Sequence, residues 1–176
     1  MSGTLDKDRT DAPSASDIEA YVVYRFRLLE YIHFFGLWRA IRTDRELPEG
    51  VTKDYASTVR LAVEVWFHSF FDKDRRALNV FRLWPRLFPW RRTQIEALHE
   101  EIKPQLEILA RFRHTTGAHA SVSIKAHNEA RNALRGPEFT KAFSSFLDLA
   151  NEIARDEDKV PGLLREILSY GLPPPV

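Results

Sequence analysis

Apolar residues recur three and four positions apart through most of this 176-residue chain, and this spacing restricts its fold more than any other feature. Such spacing places side chains on one face of an α-helix, whereas strands alternate apolar and polar residues. The clearest stripe consists of Ile95, Leu98, Ile102, Leu106 and Leu109. No alternation typical of strands and no internal repeat is present in the sequence. The sequence therefore predicts an all-α bundle with short connections.

The first half of the chain predicts two of the main helices. Ser16 and Glu19 have the spacing of a capping box, which opens a predicted helix that continues to about Arg42. A second predicted helix, from about Thr52 to Phe71, is so rich in apolar residues that we expect it to be central. The apolar positions of the first helix are Ile18, Tyr21, Val22, Phe26, Leu29, Ile32 and Phe35.

The second half predicts two more main helices and a short C-terminal one. Thr93–Glu96 forms another capping box, before a helix that leads to Arg113 and that Pro104 is expected to kink. Residues 120–136 have weak periodicity and predict a loop or a frayed helix, after which Pro137 is a favourable first helical residue. A last short helix is expected within Pro161–Tyr170. The apolar face of the fourth helix is Phe139, Phe143, Phe146, Ala150 and Ile153.

Composition limits the class of protein. The length suits one domain, which we assign to residues 16–170, with a disordered tail at 1–15 and a C-terminal tail at 171–176. The absence of cysteine removes disulfides and zinc-thiolate sites and fits a reducing, cytoplasmic setting. No apolar run approaches the ~20 residues of a membrane span. Because the net charge is +1, affinity for nucleic acid requires a local basic patch.

One chemically distinctive stretch follows the stripe, where Arg113 stands four residues beyond Leu109 and His119 six residues further on. A guanidinium is permanently charged and can bind phosphate oxygens, and an imidazole can transfer a proton near neutral pH. The pair therefore suits phosphodiester chemistry. The alternative is an arginine at a helix end with a histidine that caps nearby carbonyls.

The block from Arg113 to His119, with the polar His114 directly after the arginine, resembles the signature of the HEPN superfamily of small helical RNA-targeting proteins. Residues 63–81 (VEVWFHSFFDKDRRALNVF) also resemble the second helix and following segment of the abortive-infection (AbiU-like) branch. Together the similar stretches cover residues 55–120. Some relatives carry a tyrosine, modified by a partner enzyme, where this chain has Ser121, so such regulation is not expected here.

The resemblance implies a four-helix fold and a metal-independent endoribonuclease of a toxin–antitoxin or phage-defence system, with Arg113 and His119 as catalytic residues. His114, Thr116 and Asp72 are candidates for support of the site. Side chains six residues apart on a straight helix point about 120° apart. Convergence therefore requires either unwinding at residues 115–117 or a homodimer with a shared cleft, as the resemblance implies. RNA and an antitoxin protein are the other expected partners, and no cofactor or metal is expected. A non-catalytic HEPN-like module that binds RNA or protein is the alternative function.

Two further constellations each admit two interpretations. Arg60, Glu64, His68 and Asp72 form a polar line that could bind a metal, support a site or simply be solvated. Residues 72–92 carry a charge of +5 with tryptophans interleaved, a combination that suits single-stranded RNA. The candidate RNA-binding residues are Arg75, Arg76, Arg82, Arg86 and Trp84. The alternative is an irregular segment packed on the bundle through Phe81, Leu83, Leu87 and Phe88.

Overall fold

The computed structural model describes residues 13–43, 67–71, 77–113, 132 and 137–173. These parts confirm the all-α class, since they contain an isolated β-bridge between Phe71 and Asn79 and no strand. Five α-helices have both ends within these parts: α1 (Ala15–Thr43), α2 (Val80–Leu87), α3 (Arg92–Arg113), α4 (Pro137–Ala154) and α5 (Leu163–Ser169). Single 3-10 turns, Pro89–Arg91 and Glu157–Lys159, precede α3 and follow α4. None of the helices in these ranges is long and apolar enough to cross a membrane.

Helix α1 begins slightly earlier than the sequence predicts, because a different serine caps it. The Ser14 hydroxyl accepts a hydrogen bond from the Asp17 amide at 3.2 Å and donates one to the Asp17 carboxylate at 2.7 Å. The Ser14 carbonyl accepts the first helical bond, from the Ile18 amide. Ser14 and Asp17 therefore form the cap, and the capping box expected at Ser16 and Glu19 is wrong by two residues.

Helix α2 occupies a segment that the sequence predicts to be irregular. Its residues Val80, Leu83, Trp84 and Leu87 are all buried, and they share one helical face. Pro85 lies inside the helix and removes one backbone hydrogen bond, which usually ends a helix. Burial of the apolar face stabilises the helix despite the proline. The prediction of an irregular segment is therefore wrong, although its packing on the bundle is confirmed.

Helix α3 also starts without the predicted cap. Arg92 already has helical dihedral angles (φ −50°, ψ −48°), because the chain enters α3 directly from the 3-10 turn. Thr93 therefore lies inside the first turn, whereas a capping residue needs non-helical angles. In contrast, α4 begins at Pro137 as predicted, and Phe143, Phe146, Ala150 and Ile153 are buried along its predicted face.

The packing direction of the helices follows from contacts between them. Gln94 hydrogen-bonds Glu152, and Glu101 accepts a hydrogen bond from Ser145, so α3 and α4 are antiparallel. The Tyr31 ring contacts Phe143, and the Tyr21 hydroxyl contacts a residue just after α4, so α1 and α4 are also antiparallel. The C-terminal ends of α1 and α3 and the N-terminal end of α4 consequently lie at one end of the bundle.

Aromatic rings fill the core between the helices. Of the second predicted helix, only residues 67–71 are described; Phe67 and His68 are helical, and a turn follows. Phe67, Phe70 and Phe71 surround the fully buried Phe146 at centroid distances of 5.3, 5.7 and 5.3 Å. This placement agrees with the expectation that the apolar second helix is central.

The C-terminal segment packs on the body further than the sequence predicts. Leu163 and Ile167 of α5 are fully buried, which confirms a short docked helix. Leu172, assigned from the sequence to a tail, is only 5% exposed. The carbonyl of Pro173 also accepts a hydrogen bond from Arg25 of α1 at 3.1 Å. The chain therefore remains attached to the bundle as far as Pro173.

Candidate functional site

The helix that precedes the Arg113–His119 block has the predicted length and orientation. Helix α3 is 22 residues long and ends at Arg113. Ile95, Leu98, Ile102 and Leu109 are buried, and Leu106 is partly buried against the core, so the predicted stripe is confirmed. The backbone of Arg113 is thus located at the C-terminal end of α3. His114, Thr116 and His119 lie outside the described residues.

The end of the bundle that carries Arg113 also carries a helix N-terminus. The contacts that join Gln94 to Glu152 and Ser145 to Glu101 set the antiparallel register of α3 and α4. Extended along both helices, this register places Arg113 about one turn, or ~6 Å along the axis, beyond the level of Pro137. The first backbone N–H groups of a helix lack partners within the helix and favour anions. The N-terminal end of α4 therefore lies near the level of Arg113, although Pro137 has no N–H and Glu138 adds a negative charge to its first turn.

Of the five candidate RNA-binding residues, two lie outside the described residues, two are exposed on α2, and Trp84 is buried. Arg75 and Arg76, together with the support candidate Asp72, lie outside the described residues. Arg82 and Arg86 are exposed on α2; Arg82 donates to the carbonyl of Ala77 at 3.3 Å, and the Arg86 guanidinium pairs with Asp17 at 2.7 Å. Both side chains are exposed, and the charge of Arg86 is already paired with that of Asp17.

Trp84 has no exposed surface and belongs to the core. Its ring stacks on Phe146 at 5.6 Å with an interplanar angle of 12°, and Tyr24 meets it edge-on at 5.5 Å. A ring enclosed in this way cannot stack on an RNA base. The prediction of Trp84 as an RNA contact is therefore wrong, because the helical register of α2 turns position 84 inward with Val80 and Leu87.

Trp90 is the exposed tryptophan of the same segment, with half of its surface accessible. Its indole N–H donates to the Asp156 carboxylate at 2.9 Å, and Arg91 Nε donates to the same oxygen at 2.7 Å. Lys159 Nζ lies 2.6 Å from the other Asp156 oxygen. The hydrogen bond from the Arg91 guanidinium holds the pKa of the Asp156 carboxyl well below its usual range. No motif in the sequence indicated this cluster.

A second buried polar cluster joins α1 to the turn after α4. The Tyr21 hydroxyl donates to Glu157 Oε1 at 2.9 Å, and Arg25 Nε lies 3.2 Å from the same oxygen. Glu157 is 1% exposed, and burial raises the pKa of its carboxyl, although Arg25 opposes the shift. Burial also raises the pKa of the Tyr21 and Tyr24 hydroxyls. No sequence signal joins residues 136 positions apart, so this cluster was not predictable from spacing.

The polar line on the second predicted helix is described only at His68, which is half-buried; Arg60, Glu64 and Asp72 lie outside the described residues. Within the parts of the chain that the structure describes, no group of three or more His, Cys, Asp or Glu residues could hold a metal ion. His99 is half-buried, and its ring lies 4.4 Å from that of Phe81, which agrees with an ordinary packing role.

No family model, curated protein or solved structure matches this chain. The resemblance to the HEPN superfamily therefore stays a prediction from the residues that carry it.

Proposed function

We propose that this protein is a HEPN-like, metal-independent endoribonuclease that acts on cytosolic RNA as a toxin or phage-defence component. The observation that carries the proposal is the position of Arg113, which is the last residue of a long helix with a buried apolar stripe and stands directly before the His114–His119 segment. A cation on the last residue of a helix and an imidazole six residues further along the sequence suit phosphodiester chemistry.

In the proposed reaction, the ribose 2′-oxygen attacks the adjacent phosphorus and the bond to the 5′-oxygen breaks. His119 removes the proton from the 2′-hydroxyl or protonates the departing 5′-oxygen, and Arg113 neutralises charge on the phosphoryl oxygens. The products are a 2′,3′-cyclic phosphate and a 5′-hydroxyl. His114, Thr116 and Asp72 are the proposed supporting residues, and two copies of the chain are proposed to form one cleft.

RNA is also proposed to contact a basic surface on α2 and the segment before it. Arg86 pairs with Asp17 in the first turn of α1, so this surface extends toward the end of the bundle opposite Arg113, and a bound strand would span both regions. Arg82 and Arg86 are the described members of that surface, and Arg75 and Arg76 are its other proposed members. Guanidinium groups that remain exposed can pair with phosphates without sequence preference. Substitution of Arg82 and Arg86 by alanine is expected to weaken RNA binding and to reduce its salt dependence, without abolishing cleavage.

Expression in a bacterial host tests the nuclease directly. The unmodified chain is expected to stop growth, and Arg113→Ala or His119→Ala is expected to restore it. Arg111→Ala is the matched control, because Arg111 is an exposed arginine on the same last turns of α3. Restored growth with the control variant, or continued toxicity of both site variants at equal soluble protein, would contradict the assignment.

Purified protein distinguishes the nuclease from the binding module. The mechanism requires the 2′-hydroxyl and no metal, so RNA should be cut in the presence of a chelator, whereas DNA of the same sequence should stay intact. Binding of RNA without cleavage would favour the alternative, a non-catalytic HEPN-like RNA- or protein-binding module. An antitoxin, if present, should be recovered as a protein that suppresses the growth defect.

A further inference from the structure

Helix α1 has a second repeating stripe on its outer side, away from the core. The core side consists of Tyr21, Tyr24, Leu28 and Tyr31, all of which are buried. The outer stripe consists of residues spaced alternately four and three apart, all exposed: Glu19, Val23, Phe26, Glu30, His33 and Leu37. Alternating spacings of four and three place residues along one seam of a helix, as in the a and d positions of a coiled coil. The solvent side of α1 therefore has the residue spacing with which one helix packs along another.

The apolar members of the outer stripe are unusually exposed for their size. Val23, Phe26 and Leu37 are 44%, 40% and 48% exposed. Tyr170, which is 57% exposed, meets the Phe26 ring edge-on at 6.3 Å and widens the apolar surface beside α1. Grouped exposed apolar residues, such as Val23, Phe26 and Tyr170 here, mark an interaction site more often than isolated ones do, and Leu37 lies at the other end of the stripe.

The order of side chains along the outer stripe indicates that its partner is α1 of a second copy of this protein. Two charged or polar positions, Glu30 and His33, lie between an apolar end at Phe26 and another at Leu37. In one antiparallel register, each Phe26 faces the other copy's Leu37, and each Glu30 faces the other copy's His33. Apolar side chains then meet apolar ones, and a carboxylate meets an imidazole N–H twice.

Other arrangements of the same helix match less well. In a parallel pair, the two Glu30 carboxylates would face each other, which is unfavourable. If the antiparallel register is shifted by seven residues, Phe26 faces Glu30 and Val23 faces His33, so apolar and polar groups meet. Of the arrangements compared, only this antiparallel register matches Phe26, Glu30, His33 and Leu37 with complementary groups; in it Val23 faces Ala40 of the other copy, and Glu19 lies beyond the matched part of the stripe.

We propose that the outer stripe of α1 (Glu19, Val23, Phe26, Glu30, His33 and Leu37) is a homotypic contact that pairs two copies of this protein antiparallel, with Tyr170 at its flank. The contact is distinct from the shared nuclease cleft. Its twofold axis passes between the two copies of α1 at the level of residues 31 and 32, which is ~15 Å along the bundle from the level of Arg113. Both Arg113 ends would remain accessible, so this inference does not rest on the proposed nuclease.

The mass of the full-length chain in solution provides the first test. At micromolar concentration, light scattering is expected to show association of the unmodified chain, to a dimer through α1 alone or to a larger assembly where the nuclease cleft also pairs two copies. Leu37→Glu is expected to lower that mass and to raise the dissociation constant of the α1 contact at least ~10-fold. Ile32→Glu is the matched control, because Ile32 is also 48% exposed but lies off the stripe. Circular dichroism confirms that both variants fold. A monomeric unmodified chain, or an equal effect of the two substitutions, overturns the proposal.

Charge exchange tests the antiparallel orientation. Glu30→Lys and His33→Glu are each expected to weaken the dimer, because each places similar groups opposite one another. The double variant restores the dimer in an antiparallel pair, since the lysine introduced at position 30 then faces the glutamate introduced at position 33 of the other copy. In a parallel pair, the double variant would place like charges together in both layers. A double variant weaker than either single variant therefore overturns the orientation.

Disulfide cross-linking tests the register. Because the sequence has no cysteine, only the introduced cysteines can form disulfides. Phe26→Cys and Leu37→Cys chains are prepared separately and oxidised. Each alone is expected not to cross-link, because identical positions lie ~16 Å apart along the axis. A mixture of the two chains should form the disulfide-linked dimer. Cross-links in either chain alone, or none in the mixture, contradict the register.

Discussion

Substitution of Asp156 by asparagine should destabilise the protein substantially, although the two side chains have the same shape. The Asp156 carboxylate is 3% exposed and accepts hydrogen bonds from the indole of Trp90, the guanidinium of Arg91 and the ammonium of Lys159. These three donors come from the turn before α3 and the turn after α4. The carboxylate therefore holds together two segments that are 65 residues apart in sequence.

The expected magnitude follows from the surroundings of each donor. Arg91 keeps its 2.6 Å contact with Glu152, and Trp90 is half exposed to water, so neither donor is left buried without a partner. The loss is then mainly the charge-assisted bond to Arg91, at about 1.5–3 kcal/mol. The pair with Lys159, whose side chain is 58% exposed, adds at most about 1 kcal/mol. The free energy of unfolding should fall by about 1.5–4 kcal/mol at neutral pH.

The same reasoning predicts the pH dependence. The pKa of Asp156 is lower in the folded state than in the unfolded state. Its contribution to stability is therefore complete above the unfolded pKa of about 3.9 and disappears as the pH falls through the lower folded value. The stability difference between the natural chain and the asparagine variant should be constant near neutral pH and shrink below about pH 4.

Urea unfolding followed by circular dichroism at neutral and acidic pH measures both effects. Asp158→Asn is the matched control, because Asp158 lies in the same 3-10 turn and is exposed. It should change the free energy of unfolding by less than about 0.5 kcal/mol. A loss of less than about 1 kcal/mol for the Asp156 variant, or a loss that persists unchanged into acid, would refute the proposed role of the carboxylate.

Further stability measurements examine the core and the backbone. Phe146→Ala should reduce the free energy of unfolding by about 3–5 kcal/mol, because the ring is fully buried among other rings. Tyr21→Phe should lower it by about 1–3 kcal/mol through loss of the bond to a buried glutamate, whereas Tyr24→Phe should have little effect, since the described residues offer its hydroxyl no hydrogen-bond partner. Gly162→Ala should destabilise by about 1 kcal/mol because φ is +81°, whereas Gly36→Ala, in an exposed helix with open space, should stabilise by about 0.5–1 kcal/mol. Urea unfolding checks all five variants.

The sequence predicts the helices well where one apolar face dominates. The stripe of α3 and the face of α4 were both recognisable, because each helix has a single apolar side and the rest is polar. Helix α1 has apolar residues on two sides. Phe26 and Ile32, predicted among its apolar positions, are 40% and 48% exposed, whereas Tyr24 and Leu28 are buried. When two faces of a helix have similar apolar content, periodicity alone does not show which face is buried.

Local signals were least reliable where neighbouring residues compete. Two serines, Ser14 and Ser16, lie at the start of α1, and the one that caps the helix is Ser14, because its hydroxyl and carbonyl both accept hydrogen bonds from the first turn. In α2, Pro85 disfavours a helix, but burial of four side chains stabilises it. The chain was also predicted to leave the bundle after Tyr170, although Leu172 is buried. Tertiary burial decided the outcome in α2 and at Leu172.

By itself, the sequence determined the all-α class, the placement of α3 and α4 and the position of Arg113 at a helix end, because each depends on periodicity within a short window. Only the tertiary structure decided that Trp84 is buried while Trp90 is exposed, and that Glu157 and Asp156 anchor distant segments. Those outcomes depend on which surfaces meet across the bundle. Residues far apart in sequence contribute to them, and no local pattern records such contacts.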